Sequence, residues 1–143
     1  VEKKNGTWQK PQSLGSRVNS PYRDHLHWTG LSKDGKSLII TSTRTDMGSR
    51  GGHDEWISHQ NPKGEWQEPL NLGDTVNTAG EDMCWSFTPD GKKFFGGWGP
   101  QGSYNMDVLW LNKDDVPLLK NFDPIGPPPN LMGKTKAKAS EIK

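Results

Sequence analysis

Residues 31–36 read LSKDGK, and residues 87–92 read FTPDGK. In both, an Asp-Gly pair separates two short apolar segments. This dipeptide is a strong signal for a β-hairpin, because glycine readily adopts the positive φ that the turn requires. We therefore predict hairpin turns at Asp34-Gly35 and at Asp90-Gly91.

The segments on either side of these turns are typical of strands. The segment after the first turn is β-branched and apolar, the one after the second is aromatic, and the segments before both alternate in part between apolar and polar residues. The predicted antiparallel pairs are residues 25–32 with 37–42 and residues 82–88 with 93–98.

The two stretches belong to an internal repeat. Trp8-Gln9-Lys10-Pro11 returns 58 positions later as Trp66-Gln67-Glu68-Pro69, and Leu-Gly and Val-Asn follow at the same spacing in both copies. The Asp-Gly turns lie 56 positions apart, so the first copy has two more residues before its turn. A third block begins at Asp54 in the first copy and at Asp107 in the second. Agreement in order over separate blocks indicates repeated structural units.

Each copy supplies up to four short strands. One precedes the Asp-Gly turn, one follows it, a third begins at Asp54 or Asp107, and a short fourth lies at the Trp-x-x-Pro motif. No window keeps helical spacing over ten residues. The prediction is an all-β chain with four-stranded antiparallel units of the β-propeller type, about 8–65 and 66–112, within a first region of 1–113.

The motifs resemble a known repeat. The order Trp-x-x-Pro, Leu-Gly, Val-Asn-Ser/Thr, Leu-Ser-x-Asp-Gly-Lys and Gly-Gly-x-Asp is similar to the WD40-like repeat called PD40, found in TolB-type propellers. That family is known mainly from bacterial periplasmic and outer-membrane-associated proteins. The resemblance covers about residues 8–112. It implies propeller-type blades and a protein-binding or scaffolding role, and it brings no catalytic residues.

The chain departs from the family pattern in three ways. Lys33 stands where the family has proline, and no clean Gly-Gly precedes Asp107. Only two copies are present, whereas closed propellers have 4 to 8 blades. The first Trp-x-x-Pro has no blade before it, and no such motif follows the second copy. We therefore expect a partial propeller whose edges are covered within the chain, between copies or by a partner.

Composition limits the classes of function. The 143 residues include 17 Gly, 11 Pro and 7 Trp but only 29% hydrophobic residues, a profile of small sheets with many turns and aromatic anchors. The formal net charge of +1 gives no reason to expect nucleic acid as a partner. No apolar run approaches the roughly 20 residues of a membrane span, so direct membrane insertion is not expected.

The last 30 residues differ from the repeats. From Asp114 to Lys143 the chain is rich in proline and then basic. Three consecutive prolines, Pro127, Pro128 and Pro129, favour an extended conformation and cannot join the centre of a sheet. We expect residues 114–143 to form an extended tail, either lying on another surface or acting as a disordered linker.

The polar residues suggest structural roles rather than chemistry. Asp34 and Asp90 recur in turns, where aspartate bonds its own backbone, and no metal ligand set, cofactor motif or nucleophile motif is present. Cys84, in a predicted strand, is expected to be a small buried residue. The residues assigned to the structural repeat are Asp34, Gly35, Asp90, Gly91, Trp8, Trp66, Asp54 and Asp107.

Exposed aromatic and apolar residues are the candidates for an interface. Trp98 lies among glycines and is a plausible anchor for a protein or a sugar. The edge of the third strand in the second copy is expected to need a cover. The candidate interface residues are Trp98, Val108, Leu109, Trp110, Leu111, Pro127, Pro128 and Pro129.

Three functions fit these observations. The first is a non-catalytic scaffold in a periplasmic or otherwise extracytoplasmic location, which docks as an extrinsic subunit on a membrane-associated assembly. Its partners would be other protein chains, or further copies of itself in a homo-oligomer. The second is a carbohydrate- or peptidoglycan-binding module. The third is a propeller fragment of a larger hydrolase or peptidase.

Overall fold

The computed structural model describes residues 3–126, which form an all-β, antiparallel structure without an α-helix in that range. Two short 3-10 turns follow the last strand. The strands are β1 (Lys3–Lys4), β2 (Thr7–Trp8), β3 (Asp24–Leu31), β4 (Ser37–Ser42), β5 (Asp54–His59), β6 (Leu70–Asn71), β7 (Glu81–Phe87), β8 (Lys93–Gly99) and β9 (Asp107–Asn112).

The strands form two main sheets and one small hairpin. The first sheet has the order β3-β4-β5-β6, the second has the order β7-β8-β9, and β1 pairs only with β2. The predicted pairs across the two Asp-Gly turns, β3 with β4 and β7 with β8, are confirmed. The third strands also take equivalent registers: Ser42 lies opposite Asp54 in the first sheet, and Trp98 lies opposite Asp107 in the second.

The two hairpin turns are built in the same way. Ser32 Oγ donates to Asp34 Oδ1 at 2.6 Å, and Thr88 Oγ1 donates to Asp90 Oδ1 at 2.6 Å. The backbone N–H two residues after each aspartate donates to the same oxygen. These hydrogen bonds hold the pKa of both carboxyl groups below the usual value. The turn therefore fixes itself locally, as the sequence predicts.

Both first strands carry a bulge. The register of β3 against β4 shifts between Leu26 and Leu31, and that of β7 against β8 shifts between Met83 and Ser86. Cys84 lies in the second bulge with a φ of 62° and is exposed. The expectation of a buried Cys84 is therefore wrong, because the bulge rotates this residue out of the alternating pattern of the strand.

The main core lies between the two sheets. Ile39 and Ile57 of the first sheet face Trp85, Phe87 and Phe94 of the second. The rings of Phe87 and Phe94 have centroids 4.6 Å apart, and Trp85 lies 4.9 Å from Phe94. The segment between the sheets adds two further residues to this core, Leu72 and Val76.

The other face of the first sheet has a smaller core. Leu38, Ile40 and Trp56 alternate with the residues of the main core and pack against Val18, which lies in the segment before β3. The guanidinium of Arg44 lies 5.5 Å from the centroid of the Trp56 ring. The first sheet is therefore covered on both faces, by the second sheet on one side and by the N-terminal segment on the other.

After β9 the chain folds back instead of extending. Two 3-10 turns, Lys113–Asp115 and Pro117–Leu119, place Val116, Leu119 and Phe122 in the main core. The expected extended tail from Asp114 therefore does not hold for residues 114–124. The apolar residues recur every three positions, which is the period of a 3-10 helix, and this lets one side of the segment be buried.

The end of this segment bridges the two sheets. Pro124 forms a β-bridge with Ser32, and Lys33 donates from its Nζ to Asp123 at 2.7 Å. The ring of Phe122 stacks on that of Phe87, with centroids 5.2 Å apart. The folded unit thus extends past the predicted limit of residue 113, while Pro127, Pro128 and Pro129 lie outside the described residues.

Candidate protein-binding edge

The third strand of the second sheet has one open edge. Within residues 3–126, β9 pairs with β8 alone, whereas its counterpart β5 lies between β4 and β6. Val108 is 79% exposed and Trp110 is 64% exposed, and Leu109 is exposed as well. Unpaired backbone groups beside exposed apolar side chains are what a sheet edge offers to a further strand.

The corresponding edge of the first sheet is covered by the outer segment, residues 66–72. Asn71 lies opposite Trp56 and Leu70 lies opposite Ile57 in the short β6 pairing. The ends of the segment are held by Gln67 N–H, which donates to His59 C=O at 2.9 Å, and by Leu72 N–H, which donates to Glu55 C=O at 3.0 Å. The outer segment therefore follows β5 along nearly its whole length.

A buried asparagine locks this segment in place. Glu55 N–H donates to Asn77 Oδ1 at 2.8 Å, and Asn77 Nδ2 donates to Glu55 C=O at 2.9 Å and to Asn71 Oδ1 at 2.8 Å. Val108 takes the register position of Glu55 in the second sheet. The backbone N–H and C=O of Val108 therefore point away from β8, along the open edge.

The face of the second sheet that turns away from the first is apolar and exposed. Phe94 points into the main core, so Phe95 points to the opposite face, where Trp110 lies directly across from it. Val108 lies on the same face, two residues before Trp110. We call Phe95, Val108 and Trp110 the open face. Lys93 flanks it with its Nζ 3.9 Å from the centroid of the Trp110 ring.

Trp98, the other candidate anchor, stands at the end of β8. Trp98 is 37% exposed, and its Nε1 donates to Thr78 Oγ1 at 2.6 Å. This hydrogen bond fixes the orientation of the indole. Leu111, the last candidate interface residue of β9, is half-buried and packs against the main core.

The aspartates that start the third strands have different surroundings. Asp54 is fully buried and accepts hydrogen bonds from Arg50 N–H at 2.7 Å and from Asn71 Nδ2 at 2.9 Å. Asp107 is exposed. The difference arises because the outer segment that supplies Asn71 to the first sheet has no equivalent beside β9 among residues 3–126.

The repeated tryptophans also differ. Trp66 is half-buried and packs against the smaller core, whereas Trp8, at the end of the β1–β2 hairpin, is largely exposed. Arg17 ties the two regions together: its Nη1 donates to Trp66 C=O at 3.3 Å, and its Nε lies 3.7 Å from Glu68 Oε1. The first Trp-x-x-Pro segment thus lies on the side of the first sheet that is remote from β9.

A buried acidic group was not apparent from the sequence. Asp54, Glu55 and Asp82 are all fully buried near the start of β5 and β7. Burial raises the pKa of Asp82 to about 6; the charges of Asp54 and Glu55 act in the same direction, and hydrogen bonds from Thr78 oppose it. One signal in the sequence was the equivalence of Asp24 and Asp82, which lie 58 positions apart like the other repeated residues.

The two histidines that flank β5 have separate polar partners. His53 Nδ1 lies 2.5 Å from Glu81 Oε2, and His59 Nδ1 lies 2.8 Å from Ser37 Oγ. No group of three or more His, Cys, Asp or Glu residues in the described part of the chain is arranged to hold a metal ion. No helix among those residues is long and apolar enough to span a membrane.

Comparison with known proteins adds no relative. No family model, no curated protein and no solved structure matches the chain. The edge of β9 and the open face are therefore the features that bear on function.

Proposed function

We propose that the protein is a non-catalytic scaffold that binds another polypeptide strand along the open edge of β9. The observation that carries the proposal is the contrast between the equivalent strands β5 and β9. The first is covered by residues 66–72, and the second is open with Val108 and Trp110 exposed. The two strands hold the same register, so an incoming strand would find the same hydrogen-bonding geometry.

Strand addition explains both the backbone and the side chains of this site. Backbone hydrogen bonds supply affinity, and side chains that alternate across the strand supply specificity. Here Val108 and Trp110 would bury apolar surface against the partner, at about 25 cal/mol per Å² of area removed from water. Trp is also among the residues that contribute most at protein interfaces.

The resemblance of the repeat to PD40 blades supports a location and a type of assembly for the protein. The two sheets are interpreted as two PD40-like blades of a partial propeller, and the family resemblance favours an extracytoplasmic, periplasmic location. On this interpretation the protein is an extrinsic component of a larger, membrane-associated assembly. Other protein chains would be its partners, without nucleic acid and without insertion into the bilayer.

A peptide tests the binding function directly. A synthetic peptide with the sequence of residues 66–72 (WQEPLNL) reproduces the strand that covers β5. Added to the chain, it is expected to slow hydrogen exchange at the amides of Val108 and Trp110 and to shift the fluorescence of Trp110. A scrambled peptide of the same composition is the control. Unchanged exchange at both amides would contradict the proposal.

The matched variant is Val108→Pro. Proline removes the outward N–H of Val108 without removing a bond to β8, so the sheet is expected to remain folded while peptide binding is lost. Met47→Ala changes an exposed apolar residue between β4 and β5, away from β9, and is expected to leave binding unchanged.

A second candidate function rests on Trp98 and Tyr104. The indole of Trp98 is held by Thr78 and partly exposed, and Tyr104 is 83% exposed, so both rings are accessible to a sugar. Titration with soluble peptidoglycan fragments, followed by tryptophan fluorescence in the original chain and in Trp98→Ala, tests this function. A saturable change that the variant abolishes would support it, and no change would exclude these fragments as ligands.

A further inference from the structure

We propose that the strand that completes the second sheet is residues 8–14 of a second copy of this chain, docked on β9 as residues 66–72 dock on β5. The inference rests on the proposed strand-binding function and names its partner. Residues 8–14 (WQKPQSL) match residues 66–72 (WQEPLNL) at a constant spacing of 58.

The turn that follows residues 8–14 already has the conformation of the turn that follows residues 66–72. Asn19 N–H donates to Gly15 C=O at 2.9 Å, as Asn77 N–H donates to Gly73 C=O at 2.8 Å. Gly15 and Gly73 have φ values of 88° and 82°. A segment that is ordered before binding loses less conformational entropy on association, which favours affinity.

The locking asparagine is also in place. Asn19 Nδ2 donates to Ser13 Oγ at 2.9 Å, just as Asn77 Nδ2 donates to Asn71 Oδ1. Asn77 is buried because it also holds the backbone of Glu55, whereas Asn19 is exposed. Docked on β9 of another copy, Asn19 would hold the backbone N–H and C=O of Val108.

The remaining contacts follow from the same register. Leu14 N–H would donate to Val108 C=O, as Leu72 N–H donates to Glu55 C=O. Gln9 N–H would donate to the C=O of Asn112, the counterpart of His59. The side chain of Leu14, now exposed, would be buried as that of Leu72 is.

The segment cannot reach β9 of its own chain. Val18 anchors it to one face of the first sheet, through Leu38, Ile40 and Trp56, and the second sheet packs on the opposite face. The open edge and the docking segment therefore lie on opposite sides of the two-sheet stack. Only another copy can bring the two together while both keep their positions.

The open face supports the same arrangement. Phe95 and Trp110 are the counterparts of Ile39 and Ile57, which are buried under the second sheet. In the assembly, the first sheet of the next copy would cover Phe95 and Trp110 in the same way. The contact joins unlike surfaces of two copies, so it repeats from copy to copy and forms a ring where the rotation between copies closes. Closed rings of 4 to 8 sheets would contain two to four copies.

Complementation between two defective variants tests the proposal on the full 143-residue chain. Val108→Pro disables the edge and keeps the docking segment. Leu14→Pro disables the docking segment and keeps the edge. Each variant alone is expected to lose association by about 100-fold or more, since proline cannot donate the required hydrogen bond. An equimolar mixture is expected to form a dimer, because one intact interface remains between unlike copies.

Native mass spectrometry and light scattering over a concentration series give the readout, against a chain mass of 16.0 kDa. Circular dichroism establishes that each variant is folded, and Asn19→Ala provides a milder change in the same segment. Met47→Ala, at an exposed position between β4 and β5, is the control and should assemble like the original chain.

The outcomes separate this proposal from the binding function. A chain that stays monomeric while the peptide of residues 66–72 still protects Val108 overturns the second copy as partner and keeps strand binding. A chain that neither associates nor binds the peptide overturns both. Association that Val108→Pro and Leu14→Pro leave unchanged uses another surface and also overturns the inference.

Discussion

Asp24 and Asp82, within the first two residues of β3 and β7, accept the same backbone hydrogen bond from the residue four positions earlier. Asp24 Oδ2 accepts the backbone N–H of Ser20 at 2.6 Å, and Asp82 Oδ2 accepts that of Thr78 at 2.7 Å. The pKa values of the two carboxyl groups nevertheless move in opposite directions, downward for Asp24 and upward for Asp82. Equivalent positions in the repeat have therefore acquired different electrostatic surroundings.

The neighbours of each carboxylate explain the difference. Burial acts to raise the pKa of Asp24, but hydrogen bonds from Ser42, Ser20 and Arg44 outweigh it. Arg44 Nη2 lies 3.1 Å from Asp24 Oδ1. Asp82 has no cation in that place among the described residues and lies near Asp54 and Glu55 instead.

Asp82 should make stability depend on pH. Its pKa in the folded state is about 6, whereas aspartate in an unfolded chain titrates near 3.9. The folded state therefore binds the proton more tightly, and this stabilisation is complete below about pH 4 and lost as the pH rises through 6. We expect Asp82→Asn to be more stable than the original chain at pH 7 by about 1–3 kcal/mol, with the advantage shrinking toward pH 4.

Asp24→Asn is the matched variant with the opposite sign. Because the pKa of Asp24 is lowered on folding, its ionised form stabilises the fold above about pH 4, and this contribution is lost as the pH falls. Asp24→Asn should therefore be less stable than the original chain at pH 7. Urea denaturation of both variants between pH 4 and 8 measures the effect, and the same sign for both would contradict the assignment.

Asn77 and Asn19 form a second matched pair. Asn77→Ala removes the acceptor of the buried Glu55 N–H and one of the two hydrogen bonds to Glu55 C=O, which keeps the one from Leu72 N–H. We therefore expect it to lower the free energy of unfolding by about 2–4 kcal/mol. Asn19→Ala, at the exposed equivalent, should change the stability of the isolated chain by less than about 0.5 kcal/mol. Chemical denaturation at low protein concentration tests both, and similar losses would show that Asn77 has no special role.

The two turn glycines should respond differently to alanine. Gly35 and Gly91 have φ values of 72° and 70°, so Gly→Ala costs about 1 kcal/mol at either. A Cβ at Gly91 would also lie 3.2 Å from Cγ of Pro124, whereas at Gly35 it meets no atom within 4 Å. Gly91→Ala should therefore be the more destabilising, measured by thermal denaturation. In a Pro124→Ala background, the loss of stability caused by Gly91→Ala should fall to that caused by Gly35→Ala.

Phe122 tests the folded-back segment after β9. We expect Phe122→Ala to destabilise the chain by about 3–5 kcal/mol, since the ring is buried against Phe87. Leu118→Ala, in the same segment but exposed, should cost less than about 1 kcal/mol. A small effect of Phe122→Ala in guanidinium denaturation would mean that residues 113–124 do not form part of the cooperative unit.

The hairpins were predictable because their determinants are local. Each Asp-Gly turn is stabilised by hydrogen bonds to the aspartate from the hydroxyl two residues before it and the backbone N–H two residues after it. The apolar segments on either side then pair. The open edge was also predictable, since counting repeated motifs gives a third strand without an outer strand. The exposure of Val108 follows from that count.

The features that sequence reasoning missed depend on distant contacts. Val116, Leu119 and Phe122 lie in a short segment with two prolines, and only the space beside Phe87 shows why they are buried. The acidic group around Asp82 arises where β5 and β7 meet. No local pattern indicates which strands will be neighbours across the core.

The bulge in β3 shows how the repeat accommodated a change of length. The first copy has two residues more than the second, and they fall between Leu26 and Leu31, where the register against β4 already shifts. An insertion of two residues returns the strand to the same side-chain parity, whereas one residue would turn every later side chain to the opposite face. Leu31 therefore still packs against the smaller core. The two copies can therefore differ in length by two residues at this bulge while their inward-facing side chains keep their direction.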